Sequence, residues 1–205
     1  MAKRLPVIGL TGGIGSGKST VSQLLAERGA RIINADTVGH QIYQPGTEAW
    51  QEIVQAFGRE VLNPDGTINR ARLGEKVFSD PQALARLNAI THPRIYAAIE
   101  EQIRAIRADP PPGIRGIVVE AALLIEAGWT PLVDQIWVVV ASEEKVIERV
   151  MQQRSLSREE IQRRIAAQLD SAERQRYADL VLVNDGSLEE LKATVEKHWT
   201  ALTQA

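Results

Sequence analysis

The stretch from Gly9 to Thr20, Gly-Leu-Thr-Gly-Gly-Ile-Gly-Ser-Gly-Lys-Ser-Thr, constrains the fold of this chain more than any other. Five of its residues are glycine: Gly9, Gly12, Gly13, Gly15 and Gly17. A glycine inside a helix or strand is less stable than alanine there by ~0.5–1 kcal/mol, so such a cluster answers a demand on backbone shape. Around it, Leu5 to Leu10 is a short apolar run that reads as a buried strand. From Ser19 to Arg28, Val21, Leu24 and Leu25 recur at helical spacing, and Gly29 stops the helix. Arg31 to Ile33 is a second short strand. Strand, loop, helix and strand in about thirty residues make a βαβ unit, which implies an α/β fold around a parallel sheet.

In that context Gly12-x-x-x-x-Gly17-Lys18-Ser19 fits the P-loop pattern. A phosphate chain needs inward-pointing backbone N–H groups and no side chain blocking its approach. The helix that follows adds the positive end of its dipole. The expected ATP contacts are Gly12, Gly13, Ile14, Gly15, Ser16, Gly17, Lys18, Ser19 and Thr20. Lys18 can reach the β- and γ-phosphates, and the Ser19 hydroxyl can ligate Mg²⁺. The loop alone leaves kinase, GTPase, ATPase and switch open. No Asn/Thr-Lys-x-Asp motif for guanine is present, and 205 residues is short for a motor ATPase. A small-molecule kinase fits best.

The rest of the chain alternates between helical and strand patterns. Glu48 to Phe57 is helical, Asn63-Pro-Asp-Gly66 is a turn, and Asp80-Pro81 starts a helix with Asp as cap and Pro at the first position. His92-Pro93 is expected to interrupt that helix, with another from Arg94 to Arg107 and a stiff Asp109–Gly113 linker after it. Gly116 to Leu124 and Gln135 to Ala141 are nearly continuous apolar runs, as strands buried on both faces require. Glu143 to Gln153 is helical, and Ser157 with Glu160 forms a capping box. Leu180 to Val183 is a last strand, and Ser187 to Leu202 a final amphipathic helix. The expected organisation is one P-loop domain over 1–205, with its core in 1–47 and 114–205, a helical insertion at about 48–113 and a lid at about 150–170.

A net charge of −2 gives no reason to expect nucleic acid as a partner. The chain has no cysteine, so disulfides, thiolate nucleophiles and zinc–cysteine sites are excluded. No stretch approaches the ~20 apolar residues that span a bilayer, so no membrane partner is expected. A cytoplasmic setting fits these features.

Four further motifs share the chain with the P-loop: Asn34-Ala-Asp36, Ile90-Thr-His-Pro93, Ala122-Leu-Leu-Ile-Glu-Ala-Gly-Trp129 and Val183-Asn-Asp-Gly186. Together, in this order and spacing, they resemble the dephospho-CoA kinase family over nearly the whole length. The resemblance implies a P-loop nucleotide-kinase fold with a parallel five-stranded core, a helical CoA-binding insertion and a lid. It implies transfer of the γ-phosphoryl of ATP to the ribose 3′-hydroxyl of dephospho-CoA, with Mg²⁺ as cofactor. The chain departs from the family where Asn34 replaces a common Asp, and where Glu120-Ala-Ala-Leu-Leu-Ile-Glu126 lacks the usual proline and has Glu for the first Asp.

The resemblance favours Asp36, after the second strand, as the group that accepts the acceptor hydroxyl's proton. Read bottom-up, Asp36 could equally cap a helix starting near Val38. Glu120 could hold Mg²⁺ through water, alongside Ser19, while Glu126 could brace a loop. His92 is expected on the CoA side, against the plainer reading of a helix-terminal histidine meeting the dipole. Among Arg149, Arg154, Arg158, Arg163 and Arg164, the lid cations expected to act are Arg154 on ATP and Arg164, with Gln168 four residues on, at the substrate. The others can pair with Glu148, Glu159 and Glu160. Asn184 and Gly186 are expected at the adenine, and Trp50, Trp129, Trp137 and Trp199 in the core.

Overall fold

A computed structural model describes residues 4–153 and 156–204. The chain divides into two compact units, one of residues 1–33 and 103–205, the other of residues 34–102.

The first unit is built on strands β1 (Val7–Gly12), β2 (Ala30–Asn34), β3 (Gly116–Glu120), β4 (Gln135–Val140) and β5 (Leu180–Val183), in the sheet order β2-β3-β1-β4-β5. β1 is central and pairs in parallel with β3 (Leu10 beside Glu120) and with β4 (Gly12 beside Val139). Every residue of β1 and β3 is buried, which explains their unbroken apolar runs. Helix α1 (Lys18–Ala26) and the C-terminal α9 (Leu188–Gln204) cover the sheet through a core of Ile8, Leu10, Leu25, Trp137, Leu182, Val195 and Trp199. The Trp199 indole N–H donates to the Arg28 carbonyl at 2.9 Å, which satisfies the polar atom of this fully buried ring.

Helices α6 (Glu143–Gln153) and α7 (Arg158–Ala166) pack together through Val146, Ile147, Val150 and Ile161. The expected capping box of Ser157 and Glu160 opens α7. Helix α8 (Ser171–Gln175), absent from the sequence reading, follows an Asp170 cap. Its single turn is too short for periodicity to reveal. Strand β3 ends at Glu120, whereas the sequence places its end at Leu124. Residues 121–128 leave the sheet as turns, with Ala121 N still donating to Leu10 O at 3.0 Å.

In the second unit, α2 (Ala35–Ile42) and α3 (Glu48–Phe57) are joined by α4 (Arg70–Phe78), a helix the sequence reading passed over. Their core holds Ile53, Phe57, Val61, Leu73, Val77 and Ile90, with Trp50 at its margin donating to the Gly66 carbonyl at 2.8 Å. Helix α5 (Pro81–Ala108) runs unbroken through Pro93, so the interruption expected at His92-Pro93 does not occur. An internal proline removes one hydrogen bond and costs about 3 kcal/mol. Ile90, Ile95, Ile99 and Ile103 are all buried along this helix, at about 1.5–3 kcal/mol each. Nearby carbonyls gain side-chain partners: Thr91 Oγ1 donates to Leu87 O at 2.9 Å and Arg94 Nη1 to Ile90 O at 2.8 Å. Burial therefore outweighs the local break signal.

Candidate active site

The P-loop joins β1 to α1 at the C-terminal edge of the sheet, where open α/β folds bind ligands. Gly12 to Gly15 and Gly17 to Thr20 line a cleft of about 540 Å³ together with Arg149, Gln168, Asn184 and Gly186. The glycines have specific reasons. A Cβ on Gly12 would lie 2.6 Å from the Val139 carbonyl oxygen. Gly17 stands at the N-cap of α1 with φ 95°, in the left-handed region, and a Cβ there would overlap the Asn184 amide nitrogen. No side chain caps α1, so its first N–H groups are left for a ligand.

Lys18 Nζ sits 3.1 Å from Glu120 Oε1, and both side chains are largely buried. The last residue of β3 thus faces the P-loop lysine across the β1–β3 pair. Ser19 and Thr20 are exposed on the cleft. Asn184 is buried, and its side-chain amide donates to Ser16 O at 2.8 Å. It therefore braces the P-loop from the end of β5. Gly186 lines the same cleft.

Gln168 lies beyond the end of α7, whose C-cap is Ala167, so it does not share a helical face with Arg164 as its spacing suggests. Its Oε1 accepts from Ile14 N at 2.9 Å, which places it against the P-loop. Arg164 is exposed on α7. Arg158 pairs with Glu144 at 3.0 Å, not with the acids expected for it, and Glu148 pairs with Lys145 at 3.3 Å. Arg154 lies outside the described residues. Glu126, read as a brace for its loop, accepts from the Arg174 side chain at 3.3 Å.

Two arginines reach the P-loop region without a sequence signal that singles them out. Arg149 Nη2 donates to Asn184 O at 2.7 Å, while its buried Nη1 has no hydrogen-bond partner among the described residues. Arg149 stands in the arginine-rich stretch, but only its fold position distinguishes it from its neighbours. Arg174 is 3% exposed, a burial that its polar surroundings in the sequence conceal.

In the second unit, Asn34 caps α2: its Oδ1 accepts from Thr37 N at 3.0 Å. Asp36 is therefore not the cap, contrary to the plainer reading, and stands exposed in the first turn. Gly39, on α2, lets Ile95 of α5 approach closely, at 3.3 Å from where a Cβ would be. His92 lies inside α5, away from either helix end, so the helix-terminal reading fails. Burial lowers its pKa below the ordinary 6.5. Burial, with Arg70 nearby, lowers that of His40 in the same unit as well. Each neutral histidine binds fewer protons folded than unfolded, so stability is full above pH 6.5 and falls as pH drops below it. His92→Gln is expected to shrink the loss of melting temperature between pH 7.5 and pH 5.5, as read by thermal unfolding at both values. An unchanged loss would remove His92 as a source of the acid sensitivity.

Among the described residues no helix is long and apolar enough to cross a membrane. The dephospho-CoA kinase family model matches residues 6–190. A dephospho-CoA kinase of Corynebacterium jeikeium is 49% identical over 195 residues, covering 95% of this chain and 98% of that protein. A solved protein of Thermus thermophilus superposes with TM-score 0.82 at 33% identity, over 98% of this chain and 99% of its own. The dephospho-CoA kinase of Campylobacter jejuni superposes with TM-score 0.72 at 28% identity, over 97% of each chain. The likeness takes in both the phosphate-cradling edge and the helical segment from Asn34 to Gln102, and the chain belongs to the dephospho-CoA kinase family.

Proposed function

We propose that this kinase transfers the γ-phosphoryl of ATP to the ribose 3′-hydroxyl of dephospho-CoA, giving coenzyme A and ADP in the last step of coenzyme A synthesis. The observation that carries the reading is the uncapped N-terminus of α1 behind a glycine loop, with Lys18 held beside it on Glu120. Family membership supplies the acceptor.

The P-loop N–H groups and Lys18 hold the β- and γ-phosphates. Lys18 has three N–H donors, and its contact with Glu120 takes one of them. With ATP drawing on the same ammonium, the buried Glu120 carboxylate is left with room for a second cation. Glu120 and the Ser19 hydroxyl suit Mg²⁺ in kind, because Mg²⁺ in nucleotide sites takes one or two carboxylates plus phosphate oxygens and water. Such a site needs no larger acidic cluster, and none of three or more His, Cys, Asp or Glu exists among the described residues. Bound there, Mg²⁺ would neutralise charge developing on the phosphates.

Asp36 accepts the proton of the attacking hydroxyl and orients it. The segment at about 48–113, with His92, receives the acceptor. The stretch at about 150–170 closes as a lid, brings Arg154 to the phosphates and Arg164 to the substrate, and excludes water that would hydrolyse ATP. Arg149, Asn184 and Gly186 form the adenine end of the cleft. The test is ADP release from Mg·ATP with and without dephospho-CoA, with the product weighed by mass spectrometry. Acceptor-dependent ADP and a product one phosphate heavier are expected. Nucleotide binding without acceptor-dependent release would reject the substrate.

A further inference from the structure

Arg174 is a buried cation that the mechanism above does not use. Its side chain is 4% exposed on α8. Nη2 reaches Glu126 Oε1 at 3.3 Å. Nη1 lies 3.5 Å from the point where a Cβ on Gly13 would stand. Nε is buried and has no hydrogen-bond partner among the described residues. A buried guanidinium with an unmet N–H carries a desolvation penalty that one carboxylate contact does not remove. The cavity beside it, of about 330 Å³, has Gly13, Ile14, Ser16, Gln168 and Arg174 in its lining, with Glu143 and Asp170, and Ser16 Oγ is buried there without a partner among the described residues. Polar groups left unmet beside a phosphate-cradling loop point to a ligand that meets them.

We infer that Arg174 contacts the terminal phosphoryl group of the bound nucleotide at the Gly13–Ile14 end of the P-loop, and that Glu126 is the positioning residue that aims it. This rests on the reading of the P-loop as the nucleotide site. A guanidinium carries five N–H donors in one plane, so Nη2 can stay on the Glu126 carboxylate while Nη1 and Nε keep donors for phosphate oxygens. Gly13 belongs in the same arrangement: a Cβ there would crowd Gln168 Oε1, at 3.3 Å, and would touch Arg174 Nη1 at the ordinary contact distance of 3.5 Å. In the transfer, the bond from the acceptor oxygen to phosphorus forms as the bond to the leaving oxygen of ADP breaks, and the hydroxyl proton goes to the base. Arg174 gains and loses no proton and spreads the charge on the transferred oxygens. Arg174 follows the Asp170 cap, whose Oδ1 accepts from Ala172 N at 2.8 Å, and lies after the stretch assigned to the lid. Arg174 then adds a second phosphate-facing cation to Lys18 before any lid closes.

The experiment measures affinity for Mg·ADP and for Mg·AMP-PNP by calorimetry, with kcat, in the parent, Arg174→Met, Arg174→Lys and Glu126→Gln. Arg174→Met is expected to keep ADP affinity and to lose AMP-PNP affinity about ten- to hundredfold, the equivalent of one charge-assisted hydrogen bond. Its kcat falls with the AMP-PNP affinity. Arg174→Lys recovers part of the loss, and Glu126→Gln shows a smaller loss of the same selective kind. A change in the AMP-PNP to ADP affinity ratio of about fivefold or less in Arg174→Met overturns the inference. So does an equal fall in both affinities together with melting temperature, which marks a purely structural arginine. If Arg174→Met does not fold, the same ratio in Arg174→Lys decides. A parent enzyme that binds both nucleotides but leaves dephospho-CoA unphosphorylated rejects the proposed acceptor, and the ratio still judges Arg174.

Discussion

Gly17→Ala is expected to lower ATP affinity about a hundredfold or more and to lower the melting temperature by roughly 4–20 °C. Three effects act together at this position. The residue holds φ 95°, where an L side chain costs about 1–3 kcal/mol. The new Cβ would overlap Asn184 Nδ2, and Asn184 has no room to move because it is buried at the end of β5. Its retreat would break the 2.8 Å hydrogen bond to Ser16 O and leave that carbonyl unmet. The P-loop then loses the shape that aims its N–H groups. Gly46→Ala is the control: its φ is 92°, but no atom lies within 4 Å of the added Cβ. Gly46→Ala should show the backbone strain in its melting temperature and bind ATP as the parent does. Calorimetric ATP binding by Gly17→Ala at the parent affinity would dismiss the clash with Asn184 as the constraint.

Asp36→Asn is expected to lower kcat by about 10²–10⁴, the usual worth of a general base, with ATP affinity within about twofold. The structure makes this a clean substitution. Asn34 already supplies the cap of α2, so the Asp36 carboxylate is free of that duty. Asp36 is exposed, and losing its charge in the first turn of the helix costs only about 0.3–1 kcal/mol through the dipole. Asn34→Ala gives the opposite pattern: about 1 kcal/mol of stability lost with the cap, and a smaller effect on kcat. Dephospho-CoA turnover by Asp36→Asn within about threefold of the parent would remove Asp36 from proton transfer.

Much of the fold was legible where the signal is local. Glu48–Phe57, Glu143–Gln153 and Leu180–Val183 carry bounds that periodicity alone sets, because each is an amphipathic or apolar run between breakers. The misreadings came where a local signal met a larger tertiary term. Pro93 reads as a break, but four buried isoleucines keep α5 continuous. Leu123 and Leu124 read as strand, but the chain turns after Glu120, leaving Leu124 buried and Leu123 exposed.

The sequence by itself determined the βαβ opening, the placement of Gly12 through Ser19 between strand and helix, and the capping box of Ser157 and Glu160, since each is written within a few residues. Only the tertiary structure decided what surrounds that loop. Asn184 reaches Ser16 across 168 residues, Lys18 reaches Glu120 across 102, Gln168 reaches Ile14 across 154, and Arg174 reaches Glu126 across 48. No spacing rule links such pairs. They meet because the parallel sheet brings the C-terminal ends of β1, β3, β4 and β5 to one edge, and the side chains there must find partners out of water.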